Sequence, residues 1–315
     1  MQRRKKSISG LFNNYGIVFV LIGVCIVITI LNPKFITGNN LLNVIRQISM
    51  TGIVATGMTF VILQADIDLS VGSVAALGGV LSAGFVANSG LPVALAVILA
   101  LAICSGLGFL MGFIITKANV HSFVVSLGML SIARGLTMIY TDGYPISNLG
   151  DAYCFIGGGN LGGIPMPIII FAVFLIAAWF VLSKTPFGKY IYSIGGNAEA
   201  TRLSGIDVNK FRTISFAVSG FCACFAGIIL AGRVQSGQPT AAEGWELDAI
   251  AAVVIGGTSM SGGRGGIIGT FIGALFMGVL RNGLNLLQVS TFYQSVFIGV
   301  LIIVAVVIDS ARKDK

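Results

Sequence analysis

The sequence predicts an all-α polytopic membrane protein of about ten transmembrane helices, some interrupted, with both termini cytoplasmic. Three observations carry that prediction. Of 315 residues, 56% are hydrophobic and 10% charged, with a mean hydropathy of +0.96. An ordinary soluble domain carries roughly 25% charged residues. The apolar residues gather into runs approaching the ~20 that a helix needs to cross a hydrocarbon core about 30 Å thick. The 19 Lys and Arg residues cluster in short segments between and beyond those runs. This composition argues against a soluble enzyme, a disordered chain and a collagen. No polar stretch is long enough for a separate domain, so residues 1–315 read as one transmembrane domain. Energy conversion, or capture of a dilute ligand, then falls to other chains.

The first run, from about Gly16 to Leu31, follows Arg3, Arg4, Lys5 and Lys6. It lacks a small-x-small cleavage site and leads into further spans, so it is expected to stay as a first transmembrane helix. Later runs begin near residues 46, 71, 92, 121, 165, 213, 247, 266 and 293. Alternating them from a cytoplasmic N-terminus puts Lys117, Lys184, Lys189, Arg202, Lys210, Arg212 and Arg264 inside. The tail residues Arg312, Lys313 and Lys315 join them. Lys34, Arg46 and Arg233 fall near the outer surface. The net charge of +8 is therefore an orientation signal, and no nucleic-acid face is expected. Four of the five Cys (Cys25, Cys104, Cys222 and Cys224) lie within apolar runs as small membrane residues, and Cys154 sits in an outer loop.

Two spans are not expected to be uniform helices. Gln64 to Ser73 (QADIDLSVGS) places two carboxylates and three hydrogen-bonding side chains between apolar runs. Trp245 to Gly266 has acidic residues at its start and a Gly/Ser cluster at its end, with only about 12 apolar-compatible residues between, short of a crossing. Irregular backbone at membrane depth survives only when buried in protein or lining a wet cavity, and broken helices mark binding sites in many transporters.

Two loops stand out. The outer one, about Tyr140 to Pro165, is rich in Gly, Asn and Pro, with Asp142 and Asp151 its only charges. The inner one, residues 184–212, is the longest polar stretch. Within it Asn197 is a candidate N-cap, Glu199 suits a first helical turn, and Gly205 suits the residue just past a helix end. Glu199 and Arg202 are spaced to pair at i,i+3. The resulting two-turn helix is too short to stand alone in water. It must lie on a surface, either the membrane interface or a partner protein.

Other chemistries find little support. No G-x-x-x-x-G-K-[ST] string is present, and Gly157, Gly159 and Gly162 spell G-x-G-x-x-G without a βαβ context. His121 is the single histidine, which rules out a His-based metal cluster and suits a polar tip near headgroups. Arg134 and Arg281 lie within spans, where an ionisable residue either pairs inside the protein or snorkels to the interface.

Five strings carry a resemblance. They are Gly57 to Ser73, Arg134 to Gly143, Phe187 to Lys210, Gln238 to Gly265 and Asn282 to Ser290. Together they make the sequence similar to permease subunits of bacterial ribose-type (monosaccharide) ABC importers. One departure is Asp66, where the family pattern usually has Gly before IDLSVGS. The resemblance implies a homodimer in the bacterial inner membrane, bound to a cytoplasmic ATPase with two nucleotide-binding modules. It also implies an extracytoplasmic sugar-binding protein. This chain would hold no cofactor, and ATP and Mg would sit on the ATPase. The family's coupling helix falls on Asn197, Ala198, Glu199, Ala200, Thr201, Arg202, Leu203, Ser204, Gly205 and Ile206.

A neutral sugar needs hydrogen-bonding groups rather than a charge sink. The pathway candidates are Gln64, Asp68, Ser70, Ser73, Asp248, Thr258, Ser259, Asn282 and Asn285. For each, the competing role is a hydrogen bond between helices. Another small polar solute (a different sugar, a furanosyl signal or a nucleoside) remains an alternative cargo. A self-contained ion-coupled transporter is the alternative class, distinguished by uptake without an ATPase.

Overall fold

The structure, a computed structural model, describes residues 8–313. Arg3, Arg4, Lys5, Lys6 and Lys315 lie outside those residues. Among the described residues the fold is built of helices joined by turns and loops, with one hairpin of two-residue strands, β1 (Asn160–Leu161) and β2 (Ile164–Pro165). The long helices are α1 (Ile8–Leu31), α2 (Gly38–Ile62), α3 (Val71–Ala87), α4 (Val93–Ala118) and α5 (Ser122–Thr141). A short α6 (Asp151–Gly158) and the hairpin fill the outer loop before α7 (Met166–Lys184). Then come α8 (Pro186–Gly196), α9 (Ala198–Leu203), α10 (Val208–Val234), α11 (Trp245–Ile255), α12 (Ile267–Leu286) and α13 (Thr291–Lys313).

Each apolar run expected from the sequence is helical. Among the described residues six helices (α2, α4, α5, α7, α10 and α12) are long and apolar enough to cross a membrane. Gly16–Leu31 of α1, α3, and Thr291–Val307 of α13 are shorter apolar helices. The 11-residue α11 is about 16 Å long, half a hydrocarbon core. The first two helices begin about eight residues earlier than expected, at Ile8 and Gly38. In α2 the extra turns carry Asn39, Asn40 and Asn43, polar residues that an interfacial helix end accommodates.

Burial divides the helices into two layers. The most apolar stretch of α2 is 78% buried and that of α10 is 67%, against 22% for both α4 and α7. So α2 and α10 form the centre, with most residues of α3 and α11 buried beside them. The outer helices present Ile98, Phe109, Ile139 and Ile176 to the surroundings, an apolar girdle suited to lipid rather than water. Close packing at the centre depends on small residues. A Cβ on Gly227 of α10 would come within 1.8 Å of the Ala75 carbonyl oxygen of α3, so only glycine allows that approach.

The inner loop holds more structure than the sequence reading assigned. Its first half is the amphipathic α8, started by Pro186 at its first turn. Ile191 and Ile194 are buried, and Phe187 and Tyr190 pack edgewise or tilted against Phe211 of α10 at 5.6 and 4.9 Å. Burying each isoleucine in place of exposure to water is worth about 1.5–3 kcal/mol. That burial holds a helix too short to persist alone.

Candidate functional site

Both predicted breaks are present. The first covers residues 63–70, between α2 and α3, and contains a left-handed Ala65 at φ 62°. Asp68 is buried there, and its Oδ1 accepts from the Ser70 N–H at 2.9 Å and from the Ser70 hydroxyl at 2.6 Å. Its Oδ2 accepts from the Ser219 hydroxyl of α10 at 2.7 Å. The carboxylate thus replaces helix hydrogen bonds lost at the break and ties that break to the central helix. Gln64 is also buried and donates to the Ser215 hydroxyl one turn away on α10. Ser73 is buried in the first turn of α3. Asp66 faces Arg212, with Nε and Oδ2 3.2 Å apart. Neither atom has a hydrogen-bond partner, so this is a contact of charges without donor alignment.

The second break is the Gly/Ser turn over residues 256–266, between α11 and α12. Thr258 is buried, and its hydroxyl accepts from the Gly266 N–H at 3.3 Å. Ser259 donates to Asp309 of α13 at 3.0 Å, and the Met260 N–H reaches the same carboxylate oxygen at 3.1 Å.

The two breaks meet, and α8 meets both. The Gly263 N–H donates to the Leu63 carbonyl at 2.9 Å. The Tyr192 hydroxyl of α8 donates to the Gly265 carbonyl at 2.9 Å. Gly195, near the end of α8, lies wedged between them: a Cβ there would be 1.9 Å from the Leu63 oxygen and 2.3 Å from the Gly263 nitrogen.

One residue beyond α8, Asn197 caps α9. Its side chain accepts from the Ala200 N–H at 2.9 Å. Thr201 faces inward and donates to the Asn197 carbonyl at 2.8 Å. Glu199 and Arg202 pair at 2.8 Å on the exposed side, beside Ala200 and Ser204, which are also exposed. Gly205 follows in the left-handed region at φ 84° and closes the helix through its N–H to the Arg202 carbonyl at 3.0 Å. Ile206 adds an N–H to the Thr201 carbonyl at 3.4 Å. Leu203 stands 81% exposed on this small helix.

The intramembrane arginines pair inside the protein. Arg134 donates to the carbonyls of Pro239 and Ala241 at 2.7 and 3.0 Å. Arg281 donates to the buried Asp248 at 2.6 Å. Asn282 exchanges amide hydrogen bonds with Asn40 of α2, at 2.9 and 3.0 Å. Asn285 is exposed and accepts from Gln294 at 2.7 Å.

Among the nine pathway candidates, Asp248 alone lines the cavity of about 230 Å³ between α2, α10, α11 and α12. The cavity also takes in Gln47, Arg233 and Trp245, none of which the sequence reading counted among the pathway candidates. The usable signal was the WEL-D string: Trp245 and Asp248 are three apart and share a helix face.

Among the described residues, two helix breaks joined through α8, a capped helix beside them and a cavity among the buried helices belong to a protein with six helices long and apolar enough to cross a membrane. The family of permease components of branched-chain amino acid transport systems matches residues 40–306. The chain belongs to that family. It is 48% identical to the ribose import permease protein of Haemophilus influenzae, covering 90% of this chain and 89% of that protein. It is 46% identical to the ribose import permease protein of Bacillus subtilis, covering 99% and 97%. It is 36% identical to the D-allose transport system permease protein of Escherichia coli, covering 95% and 92%. No solved structure matches the chain. The protein is a multi-pass transport component of the bacterial inner membrane.

Proposed function

We propose that the chain is the transmembrane subunit of an ATP-driven importer that carries a monosaccharide, ribose, into the cytoplasm by alternating access. The observation that carries this reading is the junction of α8 with both helix breaks. A force applied at α9 reaches the α2–α3 break and the α11–α12 turn through one packed glycine, one tyrosine hydroxyl and one backbone hydrogen bond. Asn197 through Ile206 would then be the coupling helix, and exposed Leu203 beside the Glu199–Arg202 pair suits burial against a partner. Identities of 46 to 48% to ribose import permeases, against 36% to the D-allose permease, support ribose as the cargo.

In this reading ten helices enter the membrane, both termini are cytoplasmic, and residues 1–315 act as one permease domain within a homodimer. A cytoplasmic ATPase with two nucleotide-binding modules holds ATP and Mg. A sugar-binding protein docks over the outer loop from Tyr140 to Pro165. Asp248 belongs to the pathway. The hydrogen bonds made by Gln64, Asp68, Ser70, Thr258, Ser259, Asn282 and Asn285 support positions that brace the breaks and helix ends around it. Ser73, buried in the first turn of α3, is grouped with them in this reading.

Purifying the tagged permease in mild detergent with its co-expressed neighbours tests the proposal. A stoichiometric ATPase carrying two nucleotide-binding modules, with hydrolysis stimulated by ribose-loaded binding protein, is the expected result. A partner-free permease that moves ribose along an ion gradient in liposomes would overturn it.

A further inference from the structure

We infer that the cavity among α2, α10, α11 and α12 is a saccharide subsite built within a single chain, with Trp245 as its stacking face and Asp248 and Arg281 as hydroxyl partners. The inference rests on the importer reading and names where the sugar pauses. The space, about 230 Å³, is below the ~300–1,000 Å³ of pockets for drug-sized ligands. It exceeds the ~150 Å³ that accommodates one benzene ring, so it suits one monosaccharide ring.

The lining chemistry matches such a ring. Gln47 and Thr51 come from α2, Arg233 from α10, Trp245 and Asp248 from α11, and Arg281 from α12. An indole offers an apolar face to the C–H side of a sugar. A carboxylate accepts hydroxyl protons, and guanidinium and amide groups donate. Asp248 and Arg281 neutralise each other at 2.6 Å, which favours an uncharged ligand. A buried ion pair seldom improves on well-packed apolar residues as a source of stability, and charges at membrane depth are commonly functional. Both members of the pair line the cavity, where a bound solute would meet them.

The test is ribose uptake by proteoliposomes containing the permease, its ATPase and its binding protein. Trp245→Ala should lower uptake by about tenfold, the equivalent of one lost aromatic contact. Stimulation of ATP hydrolysis by the loaded binding protein should stay within about twofold, because the coupling machinery is untouched. Trp245→Phe, which keeps an aromatic face, should retain most of the uptake. Normal uptake by Trp245→Ala would overturn the subsite. So would a joint loss of uptake and ATPase stimulation in both variants, since that pattern marks a structural residue. In a Trp179→Phe chain, where Trp245 is the remaining tryptophan, ribose should shift the emission saturably and inorganic phosphate should not. A response to phosphate alone would make the cavity an anion site and overturn the neutral-sugar assignment. Failure of the wild-type importer to move ribose at all would instead overturn the importer reading.

Discussion

Asp68 shows how a single buried carboxylate satisfies donors at a break between two helices. Two serine hydroxyls and a backbone N–H converge on it, so three donors would be orphaned by its removal. A buried polar group without a partner costs about 1–3 kcal/mol. Asp68→Ala should therefore lower the thermal unfolding midpoint in detergent by roughly 5–10 °C. Asp68→Asn, which keeps one acceptor oxygen, should lose less. An unchanged midpoint for Asp68→Ala would remove the residue from the structural framework. Asp66, two residues earlier, is a different case. Its carboxylate is buried while its partner Arg212 is 28% exposed, and the two charges lack hydrogen-bond alignment, so desolvation offsets much of their attraction and the pair adds little net stability.

At the scale of elements, the proposed importer reading makes α8 and α9 a lever that pivots at Gly195, which is packed between the two breaks. Gly195→Val would drive side-chain atoms into the Leu63 carbonyl and the Gly263 backbone, neither of which can move alone. Gly205→Val is milder: nothing lies within 4 Å of a Cβ there, and its cost is the left-handed φ that a β-branched residue resists. Both variants should insert and assemble. Gly195→Val should uncouple ATP hydrolysis from uptake almost fully, whereas Gly205→Val should reduce coupling by a few-fold, in line with about 1–2 kcal/mol of strain. ATPase and ribose uptake measured in the same proteoliposomes separate the two. Normal coupling in Gly205→Val would show that the end of α9 plays no part in partner docking. The capping residues of α9 were legible in the sequence because capping is local chemistry within four residues. The α8 helix went unread although Phe187, Tyr190, Ile191 and Ile194 recur at i, i+3, i+4 and i+7, because that stripe is confined to 11 residues of an otherwise polar loop. Its stability comes from Phe211 and the neighbouring helices rather than from its own propensity.

At the scale of the molecule, the layering of buried α2 and α10 inside exposed α4, α5 and α7 fits a helical core wrapped by lipid-facing helices. The orientation can be checked at Cys154, which lies on α6 in the loop between α5 and α7 that the sequence reading assigns to the outer side. Burial, with Asp151 nearby, pushes its thiol above the ordinary value. Because the thiolate is the reactive form, labelling by a membrane-impermeant maleimide should accelerate about tenfold per pH unit between pH 7 and 8.5. In a Cys25→Ser chain, with Cys104, Cys222 and Cys224 buried, Cys154 should react in right-side-out vesicles and not in inverted ones. Labelling confined to inverted vesicles would reverse the topology.

The placement of the apolar runs, the two breaks and the cap and stop of α9 could be read from the chain, because each follows from hydropathy or turn chemistry over a few neighbouring residues. The same reading established that polar groups at membrane depth needed partners, since hydrocarbon offers none. It could not say which partners. Asp68 and Ser219 are 151 positions apart, and Asp248 finds Arg281 from 33 positions away. Whether Trp245 and Arg233 share a cavity depends on how each helix is rotated about its axis against its neighbours. That rotation is set by many small packing contacts summed across the whole bundle.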